Sequence, residues 1–249
     1  MTPYRRVVIT GIGAVSPLGN TIRENWENLL AGKSGIGALT RFDATGFRCR
    51  IGGEVKNLNA DELLGPKEAK RLDLFCHFAA AAADEAVRQA GLDGGDHGVN
   101  PERIAVMVSS GIGGLNTLSQ QIQILQNKGP GRVSPLTVPM MISDMAAGYL
   151  AIRYQFQGPN FGLVSACASG LHSIGEAFWM IRRKDADIVL AGGTEASITP
   201  IGQAGFSSMH ALSERNDDPT QASRPFDRDR DGFVPAEGAG ILVLEEAEQ

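Results

Sequence analysis

Cysteine is scarce in this chain. Cys49, Cys76 and Cys167 are the only three in 249 residues, an odd number at wide spacing with no CxxC pair. That argues against a disulfide framework and a cysteine-based zinc site, and it fits a reducing cytosol. Histidine is sparse as well, and His77, His97, His172 and His210 share no metal-ligand spacing, so neither a metal nor another cofactor is expected. No run of about 18 apolar residues occurs, which leaves no candidate for a membrane-spanning helix. The apolar stretch at residues 7–9 is too short for the core of a secretory signal. A net charge of −5 provides no global basic field for nucleic acid. With 43% hydrophobic and 20% charged residues the chain is globular rather than disordered. Its length sits at the upper edge of one α/β domain or could make two small ones, and a single domain over residues 1–249 is the expectation.

Glycine, by contrast, is plentiful at 31 residues, which implies tight turns and close approaches of backbone to backbone. Residues 5–10 (RRVVIT) read as a buried strand, followed by a glycine-rich turn (GIGAVSPLGN). Asn20 or Thr21 is suited to cap a helix that runs through Trp26, Leu29 and Leu30 to Gly32. Residues 40–60 are irregular or strand-like. A helix begins near Pro66, is strong over 72–90, and ends at Gly91. Residues 103–109 form a buried strand, 115–127 a helix, 129–139 a loop and 140–155 a helix. Residues 161–166 (FGLVSA) read as a strand that runs into a helix opening at Cys167, whose last turn is basic as the helix dipole favours. Residues 187–193 and 239–246 are strands on either side of a polar loop over 213–238. Alternating strands and helices, with several strands apolar throughout, predict an α/β fold with a mostly parallel or mixed sheet covered by helices.

Two patterns imitate known sites and fail on detail. VVITGIGAV resembles a dinucleotide-binding turn, yet Ser16 and Pro17 stand where the third small residue belongs and no acidic strand end follows. Gly11 and Gly13 then serve a tight turn. Asp227, Asp229 and Asp231 imitate a calcium loop, yet Gly238 stands where the closing carboxylate is required. A loop held by carboxylate pairs with Arg224, Arg228 and Arg230 is the better expectation. His77 lies in an apolar helix and reads as a satisfied core histidine, and His97 as a solvent-exposed loop residue. Cys49 and Cys76 have no supporting chemistry around them.

Cys167 differs from both in its context. It follows a short apolar run and precedes Ala168, Ser169 and Gly170, all small. A strand-to-helix elbow exposes the side chain at its apex. A helix N-terminus favours thiolate over thiol. The small neighbours leave room for a substrate carbonyl, and the Cys167 amide is placed to donate to an oxyanion. On these grounds alone a reactive nucleophile and a buried structural thiol both remain open.

The segment VSACASGLHSIGEA is similar to the active-site elbow of the elongating β-ketoacyl-acyl-carrier-protein synthases, synthase II in particular. RRVVITGIGAVSPLGN, SSGIGGL, GPGRVSPLTVP, DIVLAGGTEASITPIG and ASRPFDRDRDGFVPAEGAGILVLEE resemble further segments of that family, in the family's order. The likeness covers essentially the whole chain. It implies the N-terminal half of a thiolase-like fold, with the C-terminal half absent.

The resemblance also implies roles. Cys167 accepts an acyl group from acyl-carrier protein as a thioester and then condenses it with malonyl-acyl-carrier protein. Ile112 lines or gates the acyl pocket and Phe206 packs beside it, although either also fits a plain core role. Thr137 and Val138 reach the partner's acyl tunnel across a homodimer interface. Lys67, Lys70 and Arg71, placed on one helix face by their spacing, form a landing site for the acidic carrier protein, extended by Arg132; a solvated face is the plainer alternative. His210 stands where the family typically carries arginine, which weakens that contact. Polyketide ketosynthases share the elbow and remain an alternative pathway assignment. A thiolase-like acyl-coenzyme A enzyme is disfavoured for want of a basic nucleotide-binding loop.

Condensation also needs donors that stabilise a carbanion. In this family two histidines and a lysine from the C-terminal half supply them, together with the second oxyanion N–H, and no histidine here lies in a matching motif. The expectation is therefore a fragment of a longer enzyme, with a truncated, non-condensing carrier-protein-binding homologue or one half of a split enzyme as alternatives. The face that meets a second half would then be exposed, and poor solubility or dependence on a partner is predicted. A 249-residue product that stays monomeric in gel filtration and unfolds cooperatively in urea would overturn that expectation.

Overall fold

The computed structural model describes residues 4–94 and 98–248. In chain order its elements are β1 (Val7–Val15), α1 (Ile22–Leu30), β2 (Gly37–Ala38), β3 (Ile51–Gly52), α2 (Ala60–Leu64), α3 (Pro66–Ala69), α4 (Leu74–Gln89), β4 (Ile104–Ser109), α5 (Leu115–Lys128), α6 (Thr137–Met141), α7 (Met145–Tyr154), α8 (Ser169–Arg182), β5 (Ile188–Glu195), α9 (Pro200–Ser208) and β6 (Gly238–Glu246). The main sheet has the order β1-β6-β5-β4. β6 is antiparallel to both neighbours, and β4 is parallel to β5. Three of the four strands therefore point one way and β6 opposes them, so the sheet is mixed.

Period-two alternation splits the core into two layers. Ile104, Val106 and Val108 of β4, with Ile188 and Leu190 of β5, face α4 and α7. Ala105 and Met107, with Val189 and Ala191, face α8. Both faces of β4 and β5 are covered, which is why these strands are apolar over Ile104–Val108 and Ile188–Ala191 and turn polar only at their C-terminal ends. A two-stranded ribbon of β2 and β3 lies apart. It sits beside a small cluster of Cys49, Ile51, Leu212 and Ala222.

Several sequence expectations change, among them the single helix over 140–155, which is instead α6 and α7 separated at 142–144. The strand predicted over 5–10 is an edge strand that leaves Val8 and Ile9 exposed. It also continues through the predicted glycine turn to Val15. Gly11 and Gly13 serve the close approach of β1 to α4 instead of a turn: a Cβ at Gly11 would overlap the Ala86 carbonyl, and one at Gly13 the Ala82 carbonyl. Residues 161–166 form no strand. The Phe161 N–H reaches Val106, but the Leu163 N–H goes to the Ser109 hydroxyl, so the ladder alongside β4 stops. Lys67, Lys70 and Arg71 do not share a helix face. α3 ends at Ala69, and Lys70 and Arg71 lie in the turn before α4.

Other expectations match the fold. Thr21 caps α1 by accepting from the Glu24 N–H. Gly91 follows α4 with a φ of +71°. The 224–231 loop is tied by Arg224–Asp227, Arg228–Asp229 and Arg215–Asp231 pairs, and Arg230 donates to the Asp227 carbonyl. His97 lies outside the described residues.

Asp187, just before β5, gathers the sheet's ends. It accepts from Arg5 at 2.5 Å and from Arg103, just before β4, at 2.8 Å. The Arg103 hydrogen bond, then Arg5, holds its carboxyl at about 2 against a burial effect in the opposite direction. A depressed carboxylate contributes stability above its unfolded value and loses it as pH falls. The D187N variant should therefore be less stable than wild type by about 2 kcal/mol near neutral pH. That gap should close between about pH 4 and pH 2 in urea titrations.

The glycines give a second, opposed pair of expectations. Gly13→Ala forces β1 off α4 and should cost about 2 kcal/mol or more. A Cβ added at Gly148, within α7, would meet nothing within 4 Å, so Gly148→Ala should gain about 0.5–1 kcal/mol from lower unfolded-chain entropy. Urea midpoints measure both.

Candidate active site

Cys167 stands on a turn of the kind its sequence context implies, though two residues ahead of the helix. α8 starts at Ser169 with Ala168 as its N-cap. Ala166 takes a φ of +52°, a left-handed conformation disfavoured for a residue with a Cβ. The strain is held by local bonds. Ser169 Oγ accepts from the Ser165 N–H at 2.9 Å and donates to the Ala166 carbonyl at 2.7 Å. The Ala168 N–H returns to the Ser165 carbonyl at 3.2 Å. His172, one turn into α8, meets Ser165 Oγ through Nδ1 at 2.6 Å. Cys167 is exposed, while Cys49 and Cys76 are buried and their thiols are pushed up by desolvation. Among the described residues, no acceptor meets the Cys167 N–H.

The elbow is placed by backbone contact. A Cβ on Gly193 of β5 would lie 2.8 Å from the Gly170 Cα, so the first turn of α8 lies directly on the end of β5. That approach requires glycine at 193, and a Cβ at Gly170 would press on the Gly193 Cα at 3.1 Å.

Cys167 opens on a cavity of about 730 Å³. Ile112, Phe206 and Phe233 line it with apolar surface, and Glu195 and Glu237 are its charged groups. The structure thus brings Ile112 and Phe206 to Cys167. Phe206 does double duty, since it also packs on the Cys49 cluster and meets the Phe233 ring edge-on at 5.5 Å. Thr137 and Val138 lie elsewhere, on α6, with Val138 61% exposed. They do not line this cavity within one chain. Lys67, Lys70, Arg71 and Arg132 are all exposed. His210 is exposed with a φ of +54°, and its Nδ1 lies 3.4 Å from Arg48 Nη1.

Sequence reasoning missed three features. Glu195 accepts from the Gly111 and Ile112 N–H groups; burial raises its pKa, opposed by the Ser110 hydroxyl and the backbone N–H groups. Its signal was a carboxylate closing the apolar strand IVLAGGTE. Glu237 is buried against Arg41; burial raises its pKa and Arg41 opposes the rise. The positive φ of Ala166 had no signal, because alanine is an ordinary residue in an extended reading. The other described histidines stay outside the cavity. His77 is half-buried in α4, its Nε2 on the Ala69 carbonyl at 2.9 Å, and burial pushes its pKa down.

Residues 4–249 match the family of β-ketoacyl synthase N-terminal domains. The chain is 52% identical over 244 residues to 3-oxoacyl-(acyl-carrier-protein) synthase 2 of Synechocystis sp., a match that covers 98% of this chain and 58% of the relative. It is 50% identical over 248 residues to the protein of that name from Staphylococcus aureus, covering 59% of it. The chain thus spans somewhat under two thirds of these relatives' length. Among solved structures it superposes on a β-ketoacyl synthase from Burkholderia phymatum with a TM-score of 0.87 and 29% identity, covering 98% of this chain and 60% of that one. It also superposes, with a TM-score of 0.85 and 31% identity, on the ketosynthase of a type II polyketide system solved with its acyl-carrier protein, covering 99% of this chain and 59% of that one. The cavity beside an exposed elbow cysteine, the mixed sheet and these matches agree: the chain belongs to the β-ketoacyl synthase family and carries its thiolase-like N-terminal domain.

Proposed function

We propose that this chain provides the acyl-accepting centre of a 3-oxoacyl-(acyl-carrier-protein) synthase 2 acting in fatty-acid elongation. The observation that carries the reading is Cys167, exposed on a strained turn at the mouth of a largely apolar cavity. The Cys167 sulfur attacks the carbonyl of an acyl thioester on acyl-carrier protein, and the oxyanion that forms is met by the Cys167 N–H. Collapse expels the carrier's thiolate, which takes up a proton, and leaves the acyl group on Cys167. In the second step malonyl-carrier protein loses carbon dioxide. Its carbanion attacks the Cys167 thioester, a carbon–carbon bond forms, the carbon–sulfur bond breaks, and the cysteine thiolate returns. Ile112 and Phe206 bound the acyl chain's space. Thr137 and Val138, on an exposed helix, serve a partner copy's pocket in a homodimer. Lys67, Lys70, Arg71 and Arg132 face the carrier protein, and the site works in the cytoplasm. Residues 1–249 act as a single domain. The higher identity to fatty-acid synthases than to the polyketide ketosynthase favours the former pathway.

Incubation with acyl-acyl-carrier protein should add one acyl mass to the peptide carrying Cys167, and Cys167→Ala should reduce that labelling about a thousandfold or more. A folded chain that takes up no label would refute the nucleophile.

A further inference from the structure

The residues at the end of β5 alternate between two cavities. Glu195 and Ser197 face the Cys167 cavity, whereas Ala196 and Ile198 face a separate one beside Arg41 and Phe42. A carboxylate on the inner side of this alternation is costly, because no cation lines the Cys167 cavity among the described residues. Its partners are instead the turn that carries Ile112. Glu195 Oε2 accepts from the Gly111 N–H at 3.0 Å and the Ile112 N–H at 3.2 Å, and Oε1 accepts from Ser110 Oγ at 3.2 Å. Ser110 Oγ in turn accepts from the Gly113 N–H at 2.8 Å, and the Gly114 N–H donates to the Met141 carbonyl at 3.0 Å.

Every N–H from Gly111 to Gly114 is therefore engaged, two of them by one carboxylate through charge-assisted bonds. The turn cannot shift without breaking that set, while the Ile112 side chain stays 42% exposed at the cavity. The same turn abuts the elbow: a Cβ on Gly111 would lie 3.1 Å from Glu195 Oε2 and 3.2 Å from the Ala166 carbonyl oxygen. Anchor, gate and nucleophile are in direct succession.

We propose that Glu195 is a positioning residue for chain-length selection: it pins the Ser110–Gly114 turn so that Ile112 projects at a fixed place beside Cys167 and limits which acyl chains enter. The proposal rests on the acyl-transfer reading for its physiological substrate, but not for its geometry. With the backbone anchored, a longer chain enters by rotation of the Ile112 side chain. With the anchor removed, the whole turn yields and discrimination falls.

The test uses two series on the 249-residue chain. Straight-chain N-alkyl maleimides from ethyl to dodecyl report entry to Cys167 without any carrier protein, and the buried Cys49 and Cys76 provide little background. Acyl-carrier proteins loaded with short to long chains report acyl transfer. In the maleimide series, Glu195→Ala should change the ratio of long-chain to short-chain rates by about fivefold or more. Glu195→Gln, which keeps an acceptor for the two N–H groups, should stay near wild type. In an Ile112→Ala background the Glu195→Ala change should have no further effect on the ratio, since one residue acts through the other. Ser110→Ala, which removes the second link of the same set, should shift the ratio in the same direction and serves if Glu195→Ala does not fold. A rate loss equal at every chain length, an unchanged ratio, or full additivity with Ile112→Ala would overturn the proposal, as would a wild-type Cys167 that no maleimide reaches. Alkylation with the expected ratios but no loading from acyl-carrier protein would support the gate and refute the acyl-transfer reading.

Discussion

The contact between Gly170 and Gly193 sets the geometry on which the site depends. Two stretches of main chain meet there, the first turn of α8 and the end of β5, with no room for a side chain on Gly193 and little on Gly170. Cys167 lies three residues before one of these glycines and Glu195 two residues after the other. A single backbone contact therefore fixes Cys167 relative to Glu195 across the cavity. Hydrophobic packing further along α8, through Ala177, Met180 and Ile181 against Val189 and Ala191, keeps the two elements in register. The elbow is then strained at Ala166 because it must rise from this contact and still join α8, and the Ser165–Ser169 hydrogen bonds offset that strain.

The two cavity carboxylates show how different surroundings set different roles. Glu237, just ahead of β6, is buried and meets Arg41, and Glu54 nearby is satisfied by Thr40 and the Arg41 N–H. That network ties the 40–55 segment to the start of β6, and breaking one partner leaves an uncompensated buried charge. Glu195 has no such cation. Its charge is spread over a hydroxyl and backbone N–H groups, so what it stabilises is the placement of a turn rather than another side chain. The first arrangement holds the scaffold together, and the second positions part of the cavity.

Elements whose signal is local were legible in the sequence. The buried strands at 103–109 and 187–193, the long helix ending at Gly91 and a cap at Asn20 or Thr21 all follow from side-chain period and capping chemistry, whereas the residues around Cys167 left a reactive and a buried thiol both open until the structure exposed it. What was not legible depends on partners far along the chain. Residues 161–166 have the composition of a strand, but Ser109 captures the Leu163 N–H with its side chain, a competition invisible from either segment alone. Gly11 and Gly13 read as a turn because a glycine required by a neighbouring helix carbonyl looks the same in sequence as one required by φ. The Lys67–Arg71 face failed because α3 stops after one turn, before the spacing rule has a helix to act on. At the site, Ile112 and Phe206 came from the resemblance and the cavity unites them with Cys167, whereas Glu195 needed the fold, since its partners lie some 85 residues earlier.

The distribution of groups around Cys167 separates the two chemical steps of the proposed reaction. Acyl transfer to a cysteine asks for a nucleophile, an N–H where the oxyanion forms, and apolar space for the chain; on the proposed reading the exposed Cys167, its unpartnered N–H and the apolar cavity wall serve these needs. A malonyl-derived carbanion asks for donors aimed at a second carbonyl oxygen. The described histidines are committed elsewhere: His77 to the Ala69 carbonyl, His172 to Ser165, and His210 beside Arg48. None of the three lines the cavity. The remaining charged groups there are carboxylates, which would oppose a developing negative charge. On the proposed reading, the described groups around Cys167 suit holding an acyl group, and none of those lining the cavity is a cation that would meet the electrostatic demand of carbon–carbon bond formation.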